Sequence, residues 1–415
     1  MRQRVLAFVM AGGRGERLDP LTRYRTKPAV PFGGRYRLID FVLSNLVNSD
    51  ITAIYVLTQY KAQSVLEHLQ SAWTHRVIGR ESFITAVPAQ MQTGDSWYRG
   101  TADAVHQNLN RLREFRPDVV AVFGADHIYK MNVRQMIDAH LASGAKATVA
   151  CLRVPRHEAT AFGVAHVDAS NRIRAFVEKP ADPPAVPDDP DSAFASMGNY
   201  IFDTGALIDL LEYDAPRPDS AHDFGRDLIP RLVEAGVAYA DDFSQNLIPG
   251  SEAGERGYWR DVGTIDSYFE ANLDLKNVAP QLNLYNRDWP IHSVAYGDPP
   301  AKFVFDEPGR RGVAIQSVVS PGCILAGGFA KDCVLGRNVV LHTGAEVHES
   351  ILMDHVDIGR DAHVRRAIID KNVRIPAGAR VGFGDPIDRE LGVVTPSGIV
   401  VVPKAEVGLD GLRLG

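Results

Sequence analysis

The stretch VLAFVMAGGRGERLDPLTRYRTKPAVPFGGRYRLIDF, residues 5–41, decides how the rest of the chain is read. Val5 to Met10 is a short apolar run that opens at once into Ala11, Gly12, Gly13, Arg14 and Gly15, the pattern of a buried first strand leading into a tight glycine loop. Such a loop turns backbone N–H groups toward one point and makes an anion site. Between Met1 and Arg37 nine basic residues stand against two acids, in a chain whose formal net charge is -6. The positive charge is therefore local, and a compact polyanion such as a nucleoside triphosphate is the expected ligand.

Two common glycine loops do not fit. A P-loop needs Gly-Lys followed by Ser or Thr, which is absent here. The dinucleotide fingerprint needs a third glycine where Leu18 stands, and its ribose-binding acid would have to be Asp40, too far along. What remains is G-G-x-G-x-R-L with a downstream Lys27-Pro28.

With 415 residues and 45% hydrophobic content, the chain can form two or more packed domains. Without a long apolar run or a leader-like start, a cytoplasmic protein outside the membrane is expected. Cys151, Cys323 and Cys333 have neither metal spacing nor a disulfide framework. Slight acidity, with the basic residues gathered at one loop, argues against nucleic-acid binding.

Apolar runs at Ile54–Thr58, Val119–Phe123 and Ala147–Val154 alternate with helix-like segments near Ala62–Gln70 and Val133–Ser143. That order predicts an α/β, largely parallel, Rossmann-like sheet, with ligands beyond the carboxyl ends of the strands. Residues that follow strands are then the candidates: Gln59, the pair Trp97-Tyr98 before the turn Arg99-Gly100-Thr101, and Asp126 after Val119–Phe123. The aromatic pair could equally be core, and Asp126 a turn or helix cap. Ile173, Ala175 and Val177 alternate with charged residues as in a half-buried strand, with Glu178-Lys179 at its exit before Pro180. The proline- and aspartate-rich stretch 180–191 is a solvated loop. Helical spacing from Phe224 to Val233 places Asp223 at a helix start, where a dipole-favoured acid is the simplest reading. Asp261 lies in a strand-to-helix turn before Gly263-Thr264 and could be a cap. Paired with Asp126, it offers the two hard carboxylates that Mg2+ takes alongside phosphates.

From Val318 onward the chain repeats every seventeen residues. The apolar columns are Val318, Leu335, Leu352, Ile369; Ile324, Leu341, Ile358, Ile375; and Ala330, Val347, Val364, Val381, with small residues at Gly328, Ala345, Ala362 and Ala379 and at Cys333, Ser350 and Ala367. Steps of six, six and five describe a coil with three flat sides. His342, His348, His355 and His363 fall outside the inward columns, so the solvated face is preferred over an acyl-transfer site.

The glycine loop, with KPAVPFGGRYRLIDFVLSN from Lys27 to Asn45, resembles the sugar-1-phosphate nucleotidyltransferases, and within them the bacterial glucose-1-phosphate adenylyltransferases. That resemblance implies a nucleotidyltransferase domain over 1–276, a connector at 277–312, and a left-handed parallel β-helix over 313–415 that serves oligomerisation and regulation. It further implies nucleotide contacts at Gly12, Gly13, Arg14, Gly15, Gln59 and Trp97, with Arg17, Lys27 and Asp126 catalytic. Glucose 1-phosphate would meet Tyr98, Gly163, Glu178, Lys179 and Ser196, with Asp223 of second rank, and magnesium would sit on Asp126 and Asp261. ATP and glucose 1-phosphate would give ADP-glucose for glycogen synthesis, in a homotetramer with small-molecule effectors. Gly124-Ala125 inverts the Ala-Gly usual before this aspartate, and Tyr24 stands where several members carry a lysine. A pyrophosphorylase using UTP, dTTP or GTP, or a non-catalytic regulatory subunit, are the rival expectations.

Overall fold

In the computed structural model, which describes residues 3–77, 79, 81–90, 97–384 and 386–404, the apolar run Val5–Met10 is strand β1 and its first five residues are buried. Each of its edges is paired in parallel, with β2 (Ala53–Thr58) on one side and β4 (Val119–Gly124) on the other. A strand covered on both faces reads as a continuous apolar run, which is why this one shows no alternation. The remaining strands of the sheet are β3 (Phe83–Pro88), β5 (Ala147–Pro155), β6 (Gly163–Val167), β7 (Ile173–Glu178), β8 (Ser192–Asp203) and β9 (Ala238–Asp242). The order is β7-β6-β8-β4-β1-β2-β3, with β5 paired to β8 and β9 to β5.

The sheet is mixed. Its β4-β1-β2-β3 portion is parallel throughout, whereas β8 runs antiparallel to β4, β5 and β6, and β7 antiparallel to β6. The alternation read at Ile173, Ala175 and Val177 fails along this outer strand: the register shifts between Ile173 and Ala175, so Phe176 packs against the core and Val177 is 45% exposed. Phe8, Val120, Val122, Phe202 and Phe224 centre the core of this unit. The helix Val133–Ser143 matches its sequence pattern, with Asn132 accepting from Arg134 N at its start and Gly144 left-handed at its end.

The described residues divide into two units: Met1–Gly13 with Phe41–Trp259 and Tyr285–Ile291, and Arg14–Asp40 with Arg260–Leu284 and His292–Gly415. The second contains three sheets that run along the C-terminal coil, their strands parallel except for Val393–Val394, which pairs antiparallel with Val400–Val402. Stacking begins with Lys302–Val304, which pairs with Ile324–Ala326, inside the stretch read from sequence as connector. Residues 405–415, the end of the expected β-helix, lie outside the described residues.

Two of the inward columns need correction at their first member. Val319, not Val318, pairs with Leu335, and Leu325, not Ile324, pairs with Leu341; Ile324 is 39% exposed and Leu325 fully buried. The cause is a corner one residue shorter: Leu325 to Ala330 is five steps where Leu341 to Val347 is six. From Ala330 onward the seventeen-residue register holds through Val347, Val364 and Val381. Cys323 and Cys333 pack inside this core, and burial pushes their thiols up to about 11 and about 12. His342, His348, His355 and His363 all keep exposed surface.

Candidate active site

The second unit carries a compact charged cluster. Gly15 adopts φ +67 and begins the turn Glu16–Leu18, and the Thr22 hydroxyl donates to its carbonyl at 2.9 Å. A side chain on Gly15 would come within 2.9 Å of Lys27 Cβ, so glycine lets the lysine stem pass. Lys27 opens the turn Lys27–Ala29, with Pro28 fixing its backbone, and is 6% exposed. Its Nζ lies 3.1 Å from Asp261 Oδ1, and Arg17 Nη2 lies 3.5 Å from Asp261 Oδ2. Gly263 leaves the room for this: a Cβ there would sit 2.7 Å from Arg17 Nη2 and 2.9 Å from the carboxylate. Arg14 is exposed, 3.6 Å from Glu16.

Not all of the local positive charge serves a ligand. Arg25 and Arg37 are buried in ion pairs with Asp370 and Asp354, so part of the sequence's charge surplus is internal to the fold. Lys371 sits in the same group at 3.3 Å from Asp354, and burial, with Arg37 nearby, lowers its ammonium to about 7.

The remaining expected residues lie in the first unit. Gln59 follows β2, with its Cβ 3.3 Å from where a Gly12 side chain would begin, and its Nε2 donates to Tyr98 O at 3.4 Å. Tyr98 is half-buried, its phenol raised by burial and bonded by Asn108 Nδ2 at 3.1 Å. Trp97 is 51% exposed, so it is not a core residue. Asp126 stands just past β4, and His127 Nε2 is 3.4 Å from its Oδ1. The His127 ring packs on Trp259 at 4.9 Å between centroids, and Trp259 meets Phe162 edge-on.

At the antiparallel edge, Gly163 pairs with Glu178. A Cβ at Gly163 would lie 2.8 Å from Glu178 Oε2, so the glycine keeps that carboxylate accessible across the strand. Lys179 follows with φ +50 and a 65% exposed side chain, its Nζ 3.9 Å from Glu178 Oε1. Along β8 the register shifts between Ser196 and Tyr200, around Gly198 at φ +70, a bulge that re-aims Ser196. Asp223 is a helix-start acid: Oδ1 accepts from Gly225 N and Arg226 N, and Oδ2 from Thr101 Oγ1 at 2.9 Å. Sequence reasoning read Thr101 only as part of a turn and passed over Tyr200. The tyrosine is buried, raised by that burial, and placed with its hydroxyl beside Ser196 and Gly225; its only sequence signal is a polar aromatic next to Asn199 in an apolar strand.

A family model described as nucleotidyl transferase matches residues 6–278, and one described as GlmU-like, C-terminal hexapeptide matches residues 299–402. Glucose-1-phosphate adenylyltransferase of Corynebacterium jeikeium is 51% identical over 404 residues, covering 97% of this chain and 98% of that protein. The chain belongs to the glucose-1-phosphate adenylyltransferase family. Other members include those of Frankia casuarinae, 53% identical over 97% of this chain and 98% of the relative, and Deinococcus radiodurans, 48% identical over 98% and 100%. Membership in this family of nucleotidyl transferases makes the chain an enzyme, and the hexapeptide match gives its coil the left-handed turn. Among the described residues no helix is long and apolar enough to cross a membrane.

Proposed function

We propose that this chain transfers the adenylyl group of ATP to glucose 1-phosphate, forming ADP-glucose and diphosphate for glycogen synthesis. The observation that carries the reading is the cluster in which Gly15 admits Lys27 to Asp261 with Arg17 alongside, since two cations and an acid around a glycine turn suit a triphosphate better than a neutral ligand. A phosphate oxygen of glucose 1-phosphate attacks the α-phosphorus while diphosphate departs on the opposite side. The nucleophile is already ionised, so positioning and charge stabilisation do the catalysis and no strong general base is required.

In this scheme Arg17 and Lys27 meet the charge that grows on the departing diphosphate, with Gly12, Gly13, Arg14, Gly15, Gln59 and Trp97 lining the nucleotide. Lys179 holds the sugar phosphate, and Tyr98, Gly163, Glu178 and Ser196 face the hexose. Asp126 and Asp261 are hard-oxygen donors of the kind Mg2+ accepts, and the bound ion would neutralise phosphate charge. A cytoplasmic homotetramer responsive to small-molecule effectors completes the proposal.

Incubation with glucose 1-phosphate, Mg2+ and each of ATP, UTP, dTTP and GTP, followed by diphosphate release, tests the assignment. Preference for ATP supports it; preference for another nucleotide, or no diphosphate with any, overturns it. Light scattering that finds only monomer at micromolar protein would remove the tetramer.

A further inference from the structure

We propose that Lys27 has a second task in the nucleotide-free protein, as counter-ion of Asp261 that must leave this carboxylate before a divalent cation binds there. The proposal rests on the reading of Asp261 as a metal ligand. Both oxygens of the carboxylate already face a cation, Oδ1 the Lys27 ammonium at 3.1 Å and Oδ2 the Arg17 guanidinium at 3.5 Å. Lys27 is nearly buried and the Asp261 side chain is 27% exposed, so solvent and salt screen the pair weakly.

The backbone is shaped to this contact at two places. Gly15 has no Cβ where one would lie 2.9 Å from Lys27 Cβ, and Gly263 has none where one would press on Arg17 and Asp261. A divalent ion that arrived alone would approach an acid flanked by two positive charges, which repel it at short range. A triphosphate reverses the balance, because its oxygens offer both cations another partner and release the acid. Metal and nucleotide then strengthen each other's binding by a common factor. Lys27 thereby couples the two, beyond stabilising the leaving group.

The test measures Mn2+ affinity of the full-length, nucleotide-free protein by electron paramagnetic resonance, in wild type, Lys27→Met, Lys27→Arg and Lys27→Met/Asp261→Asn. Removal of the charge should tighten Mn2+ binding about tenfold. Lys27→Arg, which keeps the charge, should stay at the wild-type value and serves as the folding control, and the double variant should lose the gain. Equal Mn2+ affinity in Lys27→Met and wild type overturns the counter-ion role. Mn2+ binding in the presence of the α,β-methylene analogue of ATP separates the premise from the proposal. Asp261→Asn should weaken it, and an unchanged value there would overturn Asp261 as a metal ligand, and the proposal with it.

Discussion

Arg25 Nη2 lies 2.8 and 3.0 Å from the two carboxylate oxygens of Asp370, a residue 345 positions away, and both side chains are buried. The pair joins the segment after the glycine loop to the C-terminal coil of the same unit. Removing one partner strands a buried charge, so Arg25→Met should destabilise the protein by about 3–5 kcal/mol. Arg25→Met/Asp370→Leu, which removes both charges, should recover most of that loss. Chemical denaturation of the three proteins checks both statements.

The two lysines of the proposed site should separate kinetically. Lys27→Met should lower kcat by about 10²–10³, because its charge is needed most as diphosphate departs. Lys179→Gln should mainly raise KM for glucose 1-phosphate, since this exposed side chain binds a phosphate present throughout the reaction. Steady-state kinetics with each substrate varied is the measurement, and the opposite pattern would show the roles reversed.

Gly15→Ala should reduce kcat while leaving KM for glucose 1-phosphate near its wild-type value. The methyl would enter a left-handed backbone, which costs about 1–2 kcal/mol, and would push on the stem of Lys27. Gly297→Ala, outside the proposed site, is the matched control: its backbone is not left-handed, and a Cβ there meets nothing within 4 Å. Parallel assays of the two variants test the difference.

His140 gives the fold an acid sensitivity. Its ring is buried against Thr148 Oγ1 at 2.9 Å, and burial lowers its pKa from 6.5 to about 4. Between those values the unfolded chain takes up a proton that the folded one refuses, so stability is full above about pH 6.5 and falls as pH drops through the window. Between about pH 7.5 and pH 5 this amounts to about 2 kcal/mol. Denaturation of His140→Asn at the two pH values should show a correspondingly smaller loss than wild type.

The sequence was most legible where one residue's neighbours along the chain are also its neighbours in space. Val133–Ser143 came with both ends intact because its caps are local. The coil period was visible because each side repeats its own pattern, but the shortened first corner was not, since only pairing between coils shows that Leu325 and not Ile324 points inward. Strands Phe83–Pro88 and Ala238–Asp242 passed unread, because each is a short edge run without clear alternation, FITAVP being nearly all apolar and AYADD ending in two acids.

By itself, the sequence determined the glycine turn, the apolar first strand, the repeat and the acids and lysines at strand ends, all set by local backbone preference and spacing. Tertiary structure alone decided which charges are spent on the fold. It placed Arg25 and Arg37 in buried pairs and set Lys27 on Asp261 between two glycines that make room. The reason is physical: the strength and purpose of a charge depend on its burial and its partner, and both are fixed by residues hundreds of positions apart.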